Sequence, residues 1–415
     1  MKKVLSLTLV LLALSALFLA GAVAEEEKTE LIFWTRMNDT FEDEIAAFEA
    51  LHPDVKINRV GIGSSYDDLV TKYIAASVAD ELPHVGLLSQ RYGIPQLYDA
   101  GVLAPISDFM SEEEQNDVME AYWGRYSYKG VRVALPFQSS MPVLYVNTDL
   151  FEQQGVEIPT TWEEVQEAAT KMTLDIDGNG SIDVYGFNMP EDAPWYLYGL
   201  VKADGGTIVN EDGTVTVNTP EMLDVLSDIQ KMVAGGSMPS NQHATAKDDF
   251  KNGALAMLLN SCAGNRSIEK GVDGKFNYAL VTFPSINGNV CAPLGGNALG
   301  IFKSDEKMEQ LSWEFIQFMT SSDAVSGFTM SKGYLPIKHS FMETDFIKER
   351  QADSFWAATY QQIPNMVGLP VSPVDATIWN EINDVLSMIE SDPNADIEEL
   401  IENVQYEVDD FLLDY

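Results

Sequence analysis

Oxygen-bearing side chains alternate along residues 175–183, which read Asp-Ile-Asp-Gly-Asn-Gly-Ser-Ile-Asp. Calcium prefers several hard oxygen ligands, and Gly180 stands where an EF-hand loop makes its sharp turn. The twelfth position is Gly186 and not the bidentate glutamate of a full EF-hand. Two interpretations stay open: an Asp/Asn/Gly turn between two elements, or a structural calcium site whose ligands would be Asp175, Asp177, Asn179, Ser181 and Asp183.

Catalytic motifs are missing elsewhere. The sequence has no G-x-S-x-G elbow, HExxH helix, Walker loop or dinucleotide fingerprint, and its four histidines lack metal-ligand spacing. We therefore expect a protein that is not an enzyme and that needs no cofactor beyond the calcium ion considered above. Because carboxylates are abundant, an acid pair for glycoside hydrolysis stays open, and a secreted carbohydrate-active hydrolase is the rival hypothesis.

Charge and composition restrict the partners. The formal net charge of −39 repels nucleic acid, so no nucleic-acid partner is expected. A hydrophobic fraction of 46% is enough to build a core, which excludes wholesale disorder. The two cysteines, Cys262 and Cys291, could form a disulfide or remain buried thiols.

The N-terminus predicts export. Lys2 and Lys3 precede an uncharged apolar stretch that ends at Ala22-Val23-Ala24, and three glutamates follow. This pattern is typical of a signal peptide over residues 1–24 that is cleaved after Ala24; an uncleaved membrane anchor is the alternative. No cysteine stands at the cleavage point, so we expect a soluble periplasmic protein without a lipid anchor.

The remaining chain alternates strands and helices. Periodicity predicts strands at residues 31–34, 55–60 and 85–88, separated by helices at 41–51 and 66–76. Such alternation indicates an α/β fold whose sheets are mostly parallel and flanked by helices. Thr161 and Glu164 have the spacing of a capping box that begins a helix. The length after Ala24 is too great for one compact core, so two domains are expected.

Eight further segments follow one another in a characteristic order: LIFW at 31–34, HPDVKI at 52–57, YDAGVLAPI at 98–106, PFQSSMPVLYVNTDLF at 136–151, PTTWEE at 159–164, GALAMLLNS at 253–261, PLGGNALGI at 293–301 and GYLPI at 333–337. Together they resemble the extracellular, periplasmic solute-binding proteins of ABC transporters, family 1, which bind sugars. They also resemble the glycerol-3-phosphate-binding branch of that group.

The resemblance implies two α/β lobes that close by a hinge over a ligand in the cleft between them. Lobe 1 would comprise residues 25–140 and 281–323, and lobe 2 residues 141–280 and the mostly helical 324–415. The chain would cross between the lobes near 138–143, 279–285 and 321–326. The protein would be the monomeric substrate-binding component of an importer and would deliver its ligand to the permease subunits of an inner-membrane ABC transporter.

A sugar presents apolar C–H faces and a ring of hydroxyls, so its site needs aromatic side chains and paired donors and acceptors. Side chains that follow predicted strands meet these needs, because strand ends face the crevice of an open α/β sheet. The predicted ligand-binding residues are Trp34, Arg36, Asn38, Tyr66, Asp67, Ser89, Gln90, Ser139, Ser140, Trp195, Asn260, Ser261, Gly295, Gly296, Asn297 and Tyr334.

The ligand itself is predicted to be a mono- or oligosaccharide. The alternative is glycerol 3-phosphate or a related phosphodiester, for which the resembling branch uses an arginine in its C-terminal part. Here residues 363–370 (IPNMVGLP) are followed by no arginine, which favours a neutral ligand.

Overall fold

The structure is a computed structural model that describes residues 28–36, 40–63, 65–89, 93–190, 193–210, 212–240, 243–321 and 333–415. The predicted signal peptide lies outside this part of the chain. So do two predicted ligand-binding residues, Asn38 and Gln90, and the side chain of Asp67.

Fourteen strands occur in the described residues: β1 Thr29–Thr35, β2 Val55–Gly61, β3 Val85–Ser89, β4 Leu103–Ala104, β5 Ser127–Tyr128, β6 Val131–Arg132, β7 Leu135–Ser140, β8 Pro142–Asn147, β9 Tyr185–Asn188, β10 Leu255–Ser261, β11 Tyr278–Val281, β12 Ala292–Pro293, β13 Gly295–Phe302 and β14 Met366–Val367. They form two main sheets. The first has the order β2-β1-β3-β13-β4 with β7 paired to β13, and the second has the order β11-β8-β10-β9.

The helices cover both sheets and supply the C-terminal part of the chain. They are α1 Glu42–Leu51, α2 Tyr66–Ala79, α3 Ile94–Asp99, α4 Glu112–Asp117, α5 Glu120–Tyr126, α6 Thr148–Gln154, α7 Trp162–Lys171, α8 Ala193–Asp204, α9 Pro220–Ala234, α10 Ala246–Lys251, α11 Asn265–Val272, α12 Glu306–Met319, α13 Asp345–Ala352, α14 Ala357–Gln361, α15 Asp375–Ser391 and α16 Ile397–Asp414. None of these helices is long and apolar enough to cross a lipid bilayer.

Local sequence explains where several helices begin. The predicted capping box of α7 is present, since the Thr161 hydroxyl accepts from the Glu164 N–H and the Glu164 carboxylate accepts from the Thr161 N–H. The same arrangement begins α2 at Ser65 and α4 at Ser111. Each box satisfies backbone donors that a helix N-terminus leaves without intrahelical partners.

The α/β fold class is confirmed, but the prediction of mostly parallel sheets is wrong. In the first sheet β1 runs parallel to β2 and β3, whereas β13 runs antiparallel to β3, β4 and β7. In the second sheet β8 runs antiparallel to β10 and β11. The reason is topological: β13 comes from the second sheet and enters the first at the edge where β1, β2 and β3 end, so it runs antiparallel to them.

The chain passes directly from the first sheet to the second between β7 and β8. Only Met141 separates β7 of the first sheet from β8 of the second, and its side chain is fully buried. A small parallel ladder, in which β12 pairs with β14, lies beside the return of the chain to the first sheet. The third predicted crossing lies mostly outside the described residues, and the predicted lobe boundaries stay a prediction.

Glycine permits a very close approach between β7, which leads into the second sheet, and β13, which returns from it. Gly296 of β13 pairs with Ser139 of β7, and a β-carbon at Gly296 would overlap the carbonyl oxygen of Gln138. Its φ of +112° is also a backbone conformation that glycine tolerates and other residues rarely adopt.

We expect Gly296→Ala to lower the free energy of unfolding by more than about 3 kcal/mol, because a positive φ and a backbone overlap both oppose the new methyl group. Gly101→Ala is the matched control, since Gly101 has a φ of +72° and a β-carbon there would meet no atom within 4 Å. This control should lose only about 1 kcal/mol. Chemical denaturation measures both; equal losses would contradict the close approach at Gly296.

Candidate ligand-binding site

The carboxyl end of the first sheet gathers several predicted residues. Arg36 follows β1, and its guanidinium lies over the ring of Tyr66, 4.9 Å from the centroid. Tyr66 is the first residue of α2, where the capping box at Ser65 fixes the direction of the helix. Trp34 is half-buried and does not join this pair. Its ring stacks on Tyr73 of α2 instead, with centroids 5.5 Å apart.

A buried amide network joins this edge to the strand that returns from the second sheet. The Asn297 side chain donates to Gln138 Oε1 at 2.9 Å and to the Tyr66 hydroxyl at 3.3 Å. Its oxygen accepts from the Gln138 backbone N–H at 3.3 Å. The ladder between β13 and β7 shifts register between Gly296 and Ala298, and this bulge directs Asn297 toward Gln138. Gln138 was not among the predicted ligand-binding residues.

The two predicted serines of β7 are also buried here. The Ser139 carbonyl accepts from the Leu335 N–H at 2.8 Å, which holds the segment of Tyr334 against β7. Ser140 pairs with Gly295 in the ladder. Ser89 ends β3 and pairs with Asn297, so it lies at the same edge.

Tyr334 reaches the same region. It is half-buried, and this burial raises its pKa to about 12. The next residue, Leu335, is hydrogen-bonded to Ser139 of β7, beside the strand whose Asn297 contacts Tyr66. Tyr334 therefore lies near the carboxyl end of the first sheet, where Arg36 stacks on Tyr66.

Trp195 lies in the first turn of α8. Its indole N–H donates to the Leu294 carbonyl at 3.1 Å, and the side chain is only 5% exposed. A β-carbon at Gly295 would clash with the indole ring, so the lack of a side chain there makes room for Trp195. Trp195 thus packs directly on the strand that connects the sheets.

Asn260 and Ser261 end β10 of the second sheet. Asn260 is buried against Gly264, and the Ser261 hydroxyl accepts from the Ala263 N–H at 3.2 Å, so it caps the short turn that follows. The next residue, Cys262, is fully buried, and its carbonyl faces Gly333 beside Tyr334. Cys262 and Cys291 are free thiols in this structure.

A cavity of about 420 Å³ extends between α5 and α8 and was not predicted from the sequence. Tyr198, one turn after Trp195, lines it together with Lys202, Arg125 and Asp375. The cavity borders the small ladder of β12 and β14, since Met366 and Val367 of β14 line it. Residues 363–370 and Trp195 of this region were named in the sequence analysis, but the cavity and its ion pair were not. The apolar lining residues are Ala121, Val201, Ile208, Val209, Met366, Val367, Leu369 and Pro370.

Arg125 and Asp375 form a buried ion pair in the wall of this cavity. Arg125 Nη1 lies 3.4 Å from Asp375 Oδ2, and the two side chains are 6% and 4% exposed. The same nitrogen donates to the Pro370 carbonyl at 3.1 Å. Burial raises the pKa of Asp375 to about 6, against the opposing effects of Arg125 and of the Ser372 N–H, which donates to the carboxylate.

The loop at residues 175–183 brings three carboxylates together. Asp175, Asp177 and Asp183 each offer one oxygen, and these oxygens lie within 4.8 Å of one another. Backbone N–H groups fix two of them: Gly180 donates to Asp175 at 2.8 Å, and Ile176 donates to Asp183 at 2.7 Å. The Asn179 side-chain oxygen accepts from the Ser181 N–H instead. Three exposed carboxylates at this spacing could hold a divalent cation.

Comparison with known proteins confirms the resemblance seen in the sequence. Residues 44–353 match the family of bacterial extracellular solute-binding proteins. A maltotriose-binding protein of Pyrococcus abyssi is 22% identical over 93% of this chain and 83% of its own length.

Two solved structures have the same fold. The ABC substrate-binding protein Lmo0181 of Listeria monocytogenes, in complex with cycloalternan, has a TM-score of 0.79 at 22% identity and covers 93% of this chain and 99% of its own. UgpB from Mycobacterium tuberculosis, in complex with glycerophosphocholine, has a TM-score of 0.81 at 21% identity and covers 93% and 98%. The fold is therefore the two-lobed α/β fold of periplasmic binding proteins, and the chain belongs to the family of bacterial extracellular solute-binding proteins.

Proposed function

We propose that this protein captures a carbohydrate, a mono- or oligosaccharide, and delivers it to the permease subunits of an ABC importer. The observation that carries this proposal is the pairing of aromatic and uncharged polar groups between the sheets. Tyr66 and Asn297 are hydrogen-bonded at the carboxyl end of the first sheet, and Trp195 of α8 packs on Gly295, two residues before Asn297, with Tyr198 one turn further along α8. Aromatic faces suit the C–H surfaces of a sugar, and amide and hydroxyl groups suit its hydroxyls.

The lobes would close on the sugar by a hinge that includes Met141, the single residue between β7 and β8. A ligand that touches both lobes only when they are closed stabilises the closed state by the difference in contact energy. This action needs no chemical change in the ligand, so we propose binding and release and no catalysis. The chain would act as a periplasmic monomer after removal of its signal peptide at Ala24.

Glycerol 3-phosphate or a related phosphodiester is the alternative ligand, because a structural relative is in complex with glycerophosphocholine. An arginine does lie beside residues 369–370, as Arg125 donates to their carbonyls from α5. However, Asp375 already neutralises this arginine. The neutral sugar is therefore the better-supported ligand.

The loop at residues 175–183 would bind a structural calcium ion. Three carboxylates within 4.8 Å repel one another, and a divalent cation would relieve that repulsion. Asp175, Asp177 and Asp183 would supply the charged oxygens, with Asn179 and Ser181 as the further predicted ligands.

A thermal-shift screen of the mature protein against sugars, polyols and glycerol phosphates tests the ligand class. We expect at least one saccharide to raise Tm, because a ligand that binds only the folded state stabilises it by mass action. Tyr334→Ala should weaken binding of that saccharide by about tenfold through loss of ring contact. Tyr406→Ala is the matched control, since Tyr406 is 68% exposed and belongs to α16. A shift with glycerol 3-phosphate alone would contradict the sugar assignment.

Calorimetric titration of the chelator-treated protein with calcium tests the metal site. We expect saturable heat that disappears in the double variant Asp175→Asn, Asp183→Asn, because two of the site's three carboxylate charges are lost with little change in shape. Asp212→Asn serves as the control, since Asp212 is another exposed turn aspartate, bound to Thr214. No heat at millimolar calcium, or equal heat in all three proteins, would refute calcium binding by this loop.

A further inference from the structure

The cavity between α5 and α8 has one buried cation in its wall, and that cation is paired. Arg125 and Asp375 are 5% and 4% exposed, and both line the cavity. Its volume of about 420 Å³ lies within the range of small-molecule sites. The net charge that a ligand meets at Arg125 therefore depends on the negative charge of Asp375.

Arg125 is held in place from one side by backbone. Its Nη1 donates to the carbonyls of Leu369 and Pro370, at 3.5 Å and 3.1 Å. These carbonyls belong to the segment that follows β14, so Arg125 is anchored at the floor of the cavity. Its position does not depend on Asp375 alone.

Asp375 is fixed independently of Arg125. It is the first residue of α15, where the positive end of the helix dipole favours a carboxylate. The Ser372 backbone N–H donates to Asp375 Oδ2 at 3.1 Å. Both partners of the ion pair are thus positioned by separate backbone contacts before any ligand enters.

We propose that Asp375 determines the charge specificity of this cavity: by neutralising Arg125 it admits uncharged saccharides and excludes phosphate and carboxylate ligands. This inference rests on the proposed function and names the residue that selects its ligand class. A sugar hydroxyl can donate to the Asp375 carboxylate and accept from the Arg125 guanidinium without adding charge. An anion would have to approach Arg125 beside a second negative charge, and burial strengthens that repulsion.

Lys202 is the other cation in the cavity wall, and it does not alter this conclusion. It is half-buried, and its ammonium donates to the Thr207 hydroxyl at 2.9 Å. An ammonium in contact with solvent is screened by salt and attracts anions far less than a desolvated guanidinium. Arg125 is therefore the group whose neutralisation decides the selectivity.

The test compares the mature wild-type protein with Asp375→Asn, which removes the charge and keeps the shape. Thermal shifts are measured with glycerol 3-phosphate, inorganic phosphate and a saccharide panel at one ionic strength. We expect glycerol 3-phosphate to bind Asp375→Asn at least about tenfold more tightly than wild type, because a charged hydrogen bond to Arg125 becomes available. Asp375→Glu keeps the charge and should keep the exclusion.

Two further variants locate the effect. Arg125→Gln in the Asp375→Asn background should abolish the gained anion binding. Asp99→Asn removes the acidic partner of Lys129, outside the cavity lining, and should leave anion binding as in wild type. The proposal would be overturned if the wild-type protein bound glycerol 3-phosphate as tightly as Asp375→Asn does. It would also be overturned if the affinity gained in Asp375→Asn were kept after Arg125→Gln is added.

The proposal stays testable if Asp375→Asn does not fold. The wild-type protein and Asp375→Glu are then compared with glycerol 3-phosphate. A saturable rise in Tm of either protein overturns the proposal, and no rise in both supports it. A wild type that no saccharide stabilises would refute the proposed function, whereas the anion comparison would still report the role of Asp375.

Discussion

The close approach of β7 and β13 is the constraint on which the site depends. Gly296 lies so near the Gln138 carbonyl that no other residue fits there, and the bulge beside it directs Asn297 to Gln138 and Tyr66. Buried amides must be hydrogen-bonded to be tolerated, and these groups satisfy one another. Of these two strands, β7 leads the chain into the second sheet and β13 returns it to the first, so the polar network lies beside both connections between the sheets.

That arrangement also explains why the aromatic groups meet. Because Gly295 has no side chain, Trp195 of α8 packs on the connecting strand and donates to the Leu294 carbonyl. Tyr198 then faces the cavity one turn later, across from the Arg125–Asp375 pair. The site is therefore formed by backbone that belongs to both halves of the molecule, which suits a ligand bound between two moving lobes.

Local pattern predicted much of the fold, and contacts between distant residues account for what it missed. Hydrophobic periodicity located β1, β2, β3 and α2, and the spacing of Thr161 and Glu164 located the start of α7. The antiparallel course of β13 depends on how the chain returns to the first sheet, which no local pattern encodes. Arg125 and Asp375 come from distant parts of the sequence, so only the folded chain pairs them. Trp34 was predicted from its place at a strand end, but its stacking on Tyr73 follows from the docking of α2.

The central claim is that the two lobes close over an uncharged saccharide. Small-angle X-ray scattering tests it most directly, with the radius of gyration measured before and after saturation with the saccharide that gives the largest rise in Tm. The account predicts a smaller radius with the saccharide and no change with glycerol 3-phosphate at the same ionic strength. An unchanged radius with the saccharide, or compaction by glycerol 3-phosphate, would contradict it.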